Sequence, residues 1–366
     1  MAKIKAGAVP AAALKQAFPP IRLPIQPPFP PMEARLVSEI PSGPEWVYEP
    51  KWDGFRCLAF RRSREVLLQS KAGQPLGRYF PELAQAFLEL APGQFVLDGE
   101  IVIVRGGTLS FDDLLLRIHP AASRIRRLAQ ETPASFLCFD LLVDETGKSL
   151  AGLPLSERRR ELQKFFLRIR NSTSIRLSPS TPDRSQALRW ASEGATSGLD
   201  GVMAKRADLP YASAERTAMQ KVKRIRTADC VVGGFRYAAK GRAIGSLLLG
   251  LYNEAGRLDH IGFTSSFTAG QRYELKRIVE PLTGGEGFSG KAPGGPSRWS
   301  TERRGEWEPL APKLVCEVRY DYFSGGRFRH GAKFLRWRPE KLPRQCTFSQ
   351  VREPAGAVDI SALLAA

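Results

Sequence analysis

The sequence has few of the residues that build disulfide frameworks and soft-metal sites. Its 366 residues include five cysteines and three histidines, and the cysteines lie far apart with no C-x-x-C pair. Neither a disulfide framework nor a cysteine-based zinc site is therefore expected. With three histidines a histidine-rich metal centre is not expected either. Any metal should be a hard cation held by oxygen ligands.

Long apolar runs are also missing. No stretch approaches the run of about 20 apolar residues that a membrane helix needs. The N-terminus lacks the apolar centre and cleavage site of a secretory signal. Apolar residues make up 43% and charged residues 25%, which is typical of a globular protein. We therefore predict a cytoplasmic protein of two or three domains with no membrane partner.

Acidic residues are scarce relative to basic ones. There are 37 Asp+Glu against 55 Lys+Arg, which gives a formal net charge of +18. Lysine and arginine neutralise phosphates and release condensed counterions, so this excess favours a polyanionic partner, nucleic acid above all. The excess occurs on both sides of residue 229, with 34 basic against 23 acidic residues before it and 21 against 14 from it onward. We expect the partner to contact both parts.

The order of patterns along the chain predicts an α+β domain followed by a small barrel. Residues 17–32 are dense in proline and should form an extended lead-in. Short β-rich runs then alternate with helical patterns, and a second β-rich part begins near Thr227 with one helix and long turns. The predicted strands and helices of the first part are 57–62, 65–70, 94–104 and 135–143, and 80–90, 156–170 and 183–194. The predicted parts are an extension (1–29), a first domain (30–228), a barrel (229–352) and a flexible tail (353–366).

The string EPKWDGFR, residues 49–56, contains the most informative lysine. Lys51 stands between a proline and a turn-forming Asp-Gly pair, an unusual position for a lysine that is only solvated. An amine is a nucleophile only when deprotonated, and a free lysine is almost wholly charged at pH 7. Nearby cations or a metal would lower its pKa. Asp53, two residues on, can accept a hydrogen bond.

Four further strings supply the groups that such a nucleophile needs. VLDGEIVI places Asp98 and Glu100 at a strand turn, and FLCFDLL offers Phe139 beside an acid. LDGVMAKR combines an acid with a lysine, and MQKVKR alternates two lysines that would share one face of a strand. Carboxylates for a metal, lysines for phosphates and an aromatic ring for a base together suit nucleotidyl transfer.

In this order, KWDGFR, LDGE, FDLL, DGVMAK and KVK resemble the motifs of the covalent nucleotidyltransferase superfamily, specifically ATP-dependent DNA ligases of the small bacterial repair and end-joining type. The resemblance extends from about Leu23 to about Val351. It implies an α+β nucleotidyltransferase (adenylation) domain followed by an OB-fold β-barrel. It also implies ATP, Mg²⁺ or Mn²⁺, and duplex DNA with nicks or ends. A monomer at the bacterial nucleoid, with a Ku-type end-binding protein or a repair polymerase as companion, would fit.

The resemblance also implies a role for each motif residue around the nucleotide. Lys51 would be the lysine that carries AMP, Glu49 would contact the adenine amino group, and Phe139 would stack on adenine. Asp53 and Arg56 would meet the nick termini or the ribose. A three-step reaction follows, from lysyl-AMP to adenylated DNA to a sealed strand.

The remaining roles concern phosphates and metal. Glu100 would serve the metal or the ribose, and Asp200 would bind the metal. Lys205 would contact the α-phosphate or ribose, and Lys221 and Lys223 would hold the α-phosphate, with Lys223 also keeping Lys51 deprotonated by like-charge repulsion. In the C-terminal string RWRPEK, Arg338 and Lys341 would orient the leaving pyrophosphate. The barrel would therefore have to rotate between steps.

Four positions depart from the usual pattern of that family. Asp200 stands where glutamate is common, which shortens its reach toward a metal. Lys71 replaces an arginine and so loses the bidentate geometry of a guanidinium. Glu340 replaces an aspartate, and Met219 stands where tryptophan is frequent.

Several alternatives remain open at this point. An RNA ligase or an mRNA-capping guanylyltransferase would share the lysine motif, and a non-catalytic DNA-end-binding protein would share the fold. Asp98 is interpreted as a turn residue rather than a ligand. The run ERRRELQKFFLRIR (157–170) is interpreted as a solvated helix face, with DNA contact as the second option.

Overall fold

The chain forms two compact units, residues 1–224 with 355–366 and residues 225–354. The computed structural model describes residues 18–169, 172–194, 197–238, 243–294, 306–352 and 360–365. Most of the predicted extension (residues 1–17) and part of the predicted tail (353–359 and 366) lie outside these ranges. Among the described residues, no helix combines the length and the apolar character needed to cross a bilayer.

The first unit contains two main sheets. One has the strand order β1-β11-β10-β2 and the other β4-β3-β5-β8-β9, with a small β6-β7 hairpin beside them. The strands are β1 (Arg35–Val37), β2 (Trp46–Pro50), β3 (Phe55–Arg62), β4 (Glu65–Ser70), β5 (Gln94–Val102), β6 (Val104–Arg105), β7 (Thr108–Leu109), β8 (Ser135–Val143), β9 (Ile175–Leu177), β10 (Gly201–Arg206) and β11 (Met219–Lys223).

Helices cover the outer faces of both sheets. They are α1 (Pro81–Glu89), α2 (Phe111–Arg117), α3 (Ala122–Glu131), α4 (Leu155–Arg168) and α5 (Arg184–Glu193), and α1, α4 and α5 confirm the predicted helical patterns. Leu83 and Phe87, four residues apart on α1, are buried on one face of that helix. The N-terminus of α5 is capped by the Asp183 side chain, which accepts a hydrogen bond from the Ser185 amide. Trp190 of α5 packs against the β1-β11-β10-β2 sheet.

The proline-rich segment does not run free as a lead-in. Ile21, Leu23 and Ile25 are buried in a core cluster with Phe60 of β3 and Met219 of β11. Residues 18–34 contain no helix or strand, as expected for a proline-rich segment. Its apolar residues alternate, however, and their burial makes the part from residue 18 onward a component of the first unit.

The second unit is a curled sheet around its own core. Its strands are β12 (Arg226–Tyr237), β13 (Ile244–Tyr252), β14 (Leu258–Thr264), β15 (Glu308–Pro309), β16 (Val315–Tyr320), β17 (Phe323–Ser324), β18 (Arg327–Phe328) and β19 (Lys333–Trp337), and its helix is α6 (Ala269–Val279). The main order is β14-β13-β12-β16-β19. A β-bridge between Thr264 and Ala332 joins the two ends, so the sheet is a partly open barrel, consistent with an OB fold.

The unit boundary falls slightly before the predicted one. Along the chain the first unit ends at Arg224 and the second begins at Ile225. Strand β12 begins at Arg226, so a boundary between residues 228 and 229 would divide that strand. The tail also differs from the prediction. A last helix, α7 (Ile360–Ala365), belongs to the first unit, and Ile360 is fully buried against Trp52 and Leu199.

Candidate active site

A pocket lies between the two sheets of the first unit. One wall is the inner face of the β1-β11-β10-β2 sheet, where alternate residues of three strands point the same way. In the register of that sheet Met203 of β10 is opposite Glu49 of β2 and Lys221 of β11. The intervening residues Val202 and Ala204 face α5 on the other side.

The second wall comes from the other sheet and from the proline-rich segment. The pocket lining comprises Pro31, Met32, Glu33, Ala34, Glu49, Pro50, Lys51, Trp52, Arg56, Lys71, Glu100, Phe139, Met203, Lys205, Met219 and Lys221. Eight of the predicted site residues are thus brought together, although they lie in six separate strings of the sequence. The methionines and the segment 31–34 were not predicted. Met203 could have been found, because it stands two residues before Lys205 on a strand.

The backbone around Lys51 is fixed by close contacts with the start of β10. The Lys51 amide donates to the Gly201 carbonyl at 2.9 Å, and the Asp200 amide donates to the Lys51 carbonyl at 2.9 Å. A Cβ at Gly54 would lie 2.2 Å from the Ile101 carbonyl oxygen, and one at Gly201, whose φ is +130°, would lie 2.0 Å from that of Val222. Glycine is therefore required at both positions.

The amine of Lys51 is ion-paired with Asp200. Lys51 Nζ lies 2.6 Å from Asp200 Oδ2, and Lys223 Nζ lies 2.8 Å from the same oxygen. Burial lowers the pKa of Lys51, but the charge and hydrogen bond of Asp200, with Glu100 and Asp53, raise it above its ordinary value. Burial opposes ionisation of Asp200 too, yet the two lysines hold its pKa below the usual range. Lys223 shares this acid with Lys51, and its expected part in keeping Lys51 deprotonated by like-charge repulsion stays a prediction.

A buried ion pair closes the inner end of the pocket. Lys205 Nζ lies 2.7 Å from Glu49 Oε2, with side-chain exposures of 3% and 2%. The same amine is 4.2 Å from the ring centroid of Phe139. Glu49 and Lys205 therefore meet beside the aromatic ring that the sequence predicted as a base platform. In the sheet that carries them, their strands are adjacent and antiparallel.

Arg56 is ion-paired with Asp98, a residue that the sequence analysis interpreted as part of a turn. Asp98 and Glu100 lie within β5, not at a strand turn, and Asp98 is fully buried. Arg56 donates from Nε and Nη2 to the two oxygens of Asp98, both at 2.6 Å. Its guanidinium carbon is 4.6 Å from the Phe139 ring centroid. The turn interpretation was wrong because an acid inside an apolar strand is tolerated when it is paired.

A second buried pair corrects the interpretation of α4. Arg158 donates to both oxygens of Asp140 at 2.8 and 2.9 Å, and both side chains are buried. The run 157–170 is therefore not a uniformly solvated face. Leu162, Phe165 and Ile169 form a buried apolar face, and Arg158 is buried with it. Asp140, beside Phe139 in sequence, serves the core rather than the pocket.

The carboxylates suit a hard cation by their chemistry. Burial raises the pKa of Glu100 to about 7, although Lys51 and Arg56 oppose this rise. A carboxylate that is destabilised in this way would gain from a divalent cation beside it. Among the described residues no three His, Cys, Asp or Glu side chains form a metal-binding group. A divalent cation here would therefore have at most two protein carboxylates as ligands, Glu100 and Asp200, with the other ligand positions filled by water or phosphate, which is the usual arrangement for Mg²⁺.

Two more basic residues flank the mouth of the pocket. Burial and the charges of Lys51 and Lys223 lower the pKa of Lys221. Lys71 lies 3.7 Å from Glu33, which is also paired with Arg216 at 2.7 Å. Asp53 affects the pKa values of both Lys51 and Glu100 and so lies close to the same centre. The pocket is thus basic at its mouth and acidic next to Lys51.

In the second unit, Arg338 and Lys341 converge on one acid. Arg338 Nη1 lies 2.8 Å from Asp229 Oδ1, and Lys341 Nζ lies 3.7 Å from Asp229 Oδ2. Glu317 and Glu340 also pair with Arg338. The string RWRPEK therefore folds so that its two predicted functional cations share a carboxylate at the start of β12.

Comparisons with known proteins show the family to which the chain belongs. The family model described as "ATP dependent DNA ligase domain" matches residues 31–223, and that described as "ATP dependent DNA ligase C terminal region" matches residues 240–341. The chain is similar to DNA ligase C1 of Mycolicibacterium smegmatis, with 44% identity over 342 residues that cover 91% of this chain and 96% of that protein.

Two other similarities are more distant. The multifunctional non-homologous end joining DNA repair protein LigD of Mycobacterium tuberculosis is 29% identical over 307 residues, 82% of this chain and 37% of that protein. A solved structure from a structure-function analysis of Lig E DNA ligases is 17% identical, covers 84% of this chain and 100% of that one, and has a TM-score of 0.53. The last similarity concerns the fold alone. The chain therefore belongs to the family of ATP-dependent DNA ligases, enzymes that join DNA strands with the use of ATP.

Proposed function

We propose that this ligase seals breaks in duplex DNA during repair and that Lys51 carries AMP between ATP and DNA. In the first step the Lys51 nitrogen attacks the α-phosphorus, the bond to the β-phosphate oxygen breaks, and pyrophosphate leaves. In the second step the 5′-phosphate at the break takes AMP from the lysine. In the third step the 3′-hydroxyl attacks that phosphate, AMP leaves, and the strand is sealed.

The observation that supports this proposal most is the position of the Lys51 amine. It is largely buried in a pocket that also contains Phe139, Lys205 and Lys221. A nucleophilic amine, an aromatic surface and further cations are what attack on a nucleoside triphosphate requires. In this assignment adenine stacks on Phe139, and Glu49 contacts its amino group through Oε1, since Oε2 pairs with Lys205.

The other pocket residues would bind the ribose and the phosphates. We assign Arg56 and Glu100 to the ribose, with Asp53 beside the reacting centre. Lys205, Lys221 and Lys223 would neutralise the α-phosphate, and Lys71 at the mouth would meet the outer phosphates. The lowered pKa of Lys221 is consistent with cations clustered there before any anion enters.

Activation of Lys51 requires that its ion pair with Asp200 be broken, because an ammonium group has no lone pair. Lys223 is 2.8 Å from the same Asp200 oxygen and can keep that carboxylate paired when Lys51 turns toward the phosphorus. Glu100 and Asp200 are the residues that we assign to a divalent cation, Mg²⁺ or Mn²⁺. When bound, such a cation would neutralise phosphate charge and favour the neutral form of the lysine.

The second unit and the partners complete the proposal. Arg338 and Lys341 would orient the departing pyrophosphate. To do so they would release the Asp229 carboxylate and bind the pyrophosphate in its place. Duplex DNA with nicks or ends is the proposed substrate, bound by a monomer at the nucleoid. The similarity to an end-joining repair protein supports a Ku-type or polymerase companion. RNA ligase, capping guanylyltransferase and non-catalytic end binding are not favoured by the similarities.

The test is sealing of a 5′-labelled nicked duplex with ATP and Mg²⁺. Wild type should give full-length strand, whereas Lys51→Ala should give none and the exposed Lys164→Ala should equal wild type. GTP should not replace ATP. Sealing by Lys51→Ala would contradict the proposal. So would a protein that forms a covalent nucleotide adduct with GTP but not with ATP. DNA binding should also weaken steeply between low and moderate salt, because phosphate contacts release counterions.

A further inference from the structure

The β10–β11 loop places a buried tyrosine behind the pocket, outside the strings that carry the family resemblance. We propose that Tyr211 is a positioning residue for ligation: its hydroxyl fixes the carboxylate of Asp98, which in turn orients Arg56 at the pocket wall. The inference rests on the proposed function, in which Arg56 contacts the bound nucleotide. It adds a residue whose own side chain does not line the pocket.

Asp98 receives three donors from two different parts of the first unit. The Tyr211 hydroxyl donates to Oδ2 at 2.6 Å, and the guanidinium of Arg56 donates to both oxygens at 2.6 Å. Asp98 is on β5 and Arg56 on β3 of the same sheet, whereas Tyr211 follows β10 of the other sheet. The hydroxyl therefore links the two sheets that form the pocket walls.

Tyr211 is itself held on every side by described neighbours. Its hydroxyl oxygen accepts from the Met32 amide at 2.9 Å, and its own amide donates to the Ala151 carbonyl at 2.9 Å. Its ring stacks on Phe29 at 6.2 Å between centroids, and the Arg158 guanidinium lies 5.7 Å from it. The hydroxyl thus donates one hydrogen bond and accepts another. A side chain restrained in this way can act as a fixed reference for the groups it binds.

The hydroxyl determines how firmly Arg56 is oriented. When the Tyr211 hydroxyl is present, the Asp98 carboxylate is bound at both oxygens by Arg56 and at Oδ2 also by Tyr211. The carboxylate therefore cannot rotate about its Cβ–Cγ bond without breaking a charge-assisted hydrogen bond. Without the Tyr211 hydroxyl, the Asp98 carboxylate and the Arg56 guanidinium can turn together. Arg56 then changes its angle to the Phe139 ring, 4.6 Å away, against which the proposed adenine stacks. Small misplacements of positioning groups cost large factors in rate or affinity.

The test uses the full-length chain with Tyr211→Phe, which removes one oxygen and keeps the ring. Single-turnover formation of the lysine–AMP adduct is measured against ATP concentration. We expect the ATP concentration for half-maximal rate to rise about tenfold, while the maximal rate changes less than about threefold. Asp98→Asn, measured in the same way, should also raise the ATP concentration for half-maximal rate. An unchanged ATP dependence in Tyr211→Phe would overturn the inference.

Two controls separate positioning from a general loss of stability. Tyr48→Phe removes another buried hydroxyl of the first unit, which donates to the Pro41 carbonyl at 2.7 Å and faces away from the pocket. Its ATP dependence should equal that of wild type even if its melting temperature falls. In an Arg56→Lys background Tyr211→Phe should add less than about a twofold change, since it acts through Arg56. Full additivity of the two changes would overturn the inference.

Failure of the inference can be told from failure of the proposed function. If wild type forms no adduct with ATP, the proposed function is wrong. If wild type forms it and Tyr211→Phe behaves as wild type, only the role of Tyr211 is wrong.

Discussion

Asp200 accepts the ammonium groups of Lys51 and Lys223 on one and the same oxygen, at 2.6 and 2.8 Å. The ion pair keeps Lys51, the proposed nucleophile, in its protonated form, next to a second lysine that can keep the acid paired after the first has left. In the proposed mechanism this arrangement would let a buried amine be stable in the free enzyme and still be available for attack.

Asp200→Asn should lower the pKa of Lys51. Asp200 raises that pKa through its charge and hydrogen bond, whereas burial favours the neutral amine. The metal-free chain should then react with an amine-acylating reagent at Lys51 at a lower pH than wild type does. Peptide mass spectrometry across a pH series measures this reaction. Asp208→Asn, which removes an exposed acid paired with Arg206, is the control. An unmoved pH midpoint in Asp200→Asn would contradict the account.

Glu100→Gln should stabilise the protein at pH 8 but not at pH 5. Burial raises the pKa of Glu100 to about 7, so the folded state binds a proton that the unfolded state releases near pH 4.5. Wild-type stability contributed by this group therefore falls as pH rises from about 4.5 to 7. A neutral glutamine does not experience that loss. Melting temperatures of both proteins at the two pH values test this, and an equal difference at both would argue against it.

Lys205→Met should destabilise the first unit strongly. The change leaves Glu49 buried at 2% exposure without its partner, which typically costs about 3–5 kcal/mol. The double variant Glu49→Gln with Lys205→Met should recover a large part of the loss. Arg127→Met breaks an exposed pair with Glu131 and should cost less than about 1 kcal/mol. Denaturant unfolding measures all three, and equal losses for the buried and exposed pairs would refute the assignment.

Ile360→Ala should weaken the docking of α7. Ile360 is fully buried against Trp52, the residue after Lys51, and its amide donates to the Gly107 carbonyl. Truncation of a buried isoleucine costs about 2–5 kcal/mol. Hydrogen exchange of the amides in α7 should accelerate, whereas Leu188→Ala, at a half-exposed leucine, should leave it unchanged. Unchanged exchange in Ile360→Ala would show that the helix does not depend on this contact.

The sequence predicted most elements because apolar patterning is local. Helices α1, α4 and α5 and the strands that carry Glu100 and Phe139 follow from periodicity and turn residues. It also predicted that Lys221 and Lys223 share a face, since a strand alternates. The placement of these strands around one pocket rested on the motif resemblance, because the pairing of β2 with β10 joins residues about 150 positions apart.

Buried ion pairs were the main feature that the sequence did not predict. From the sequence alone one expects charged residues such as Asp98, Asp140 and Arg158 at the surface. The partner that makes the burial of each one tolerable lies elsewhere in the chain. Tyr211 was missed for the same reason, because its hydroxyl meets Asp98 across 113 residues. The pairing of Lys223 with Asp200 likewise depends on geometry that spacing alone does not contain.

The central claim is that Lys51 carries AMP. The measurement is the intact mass of the full chain after incubation with ATP and Mg²⁺, followed by peptide mapping. The account predicts a gain of one AMP located on Lys51, absent in Lys51→Ala and lost again when nicked DNA is added. An adduct that persists in Lys51→Ala, or wild-type protein that gains no AMP, would contradict it.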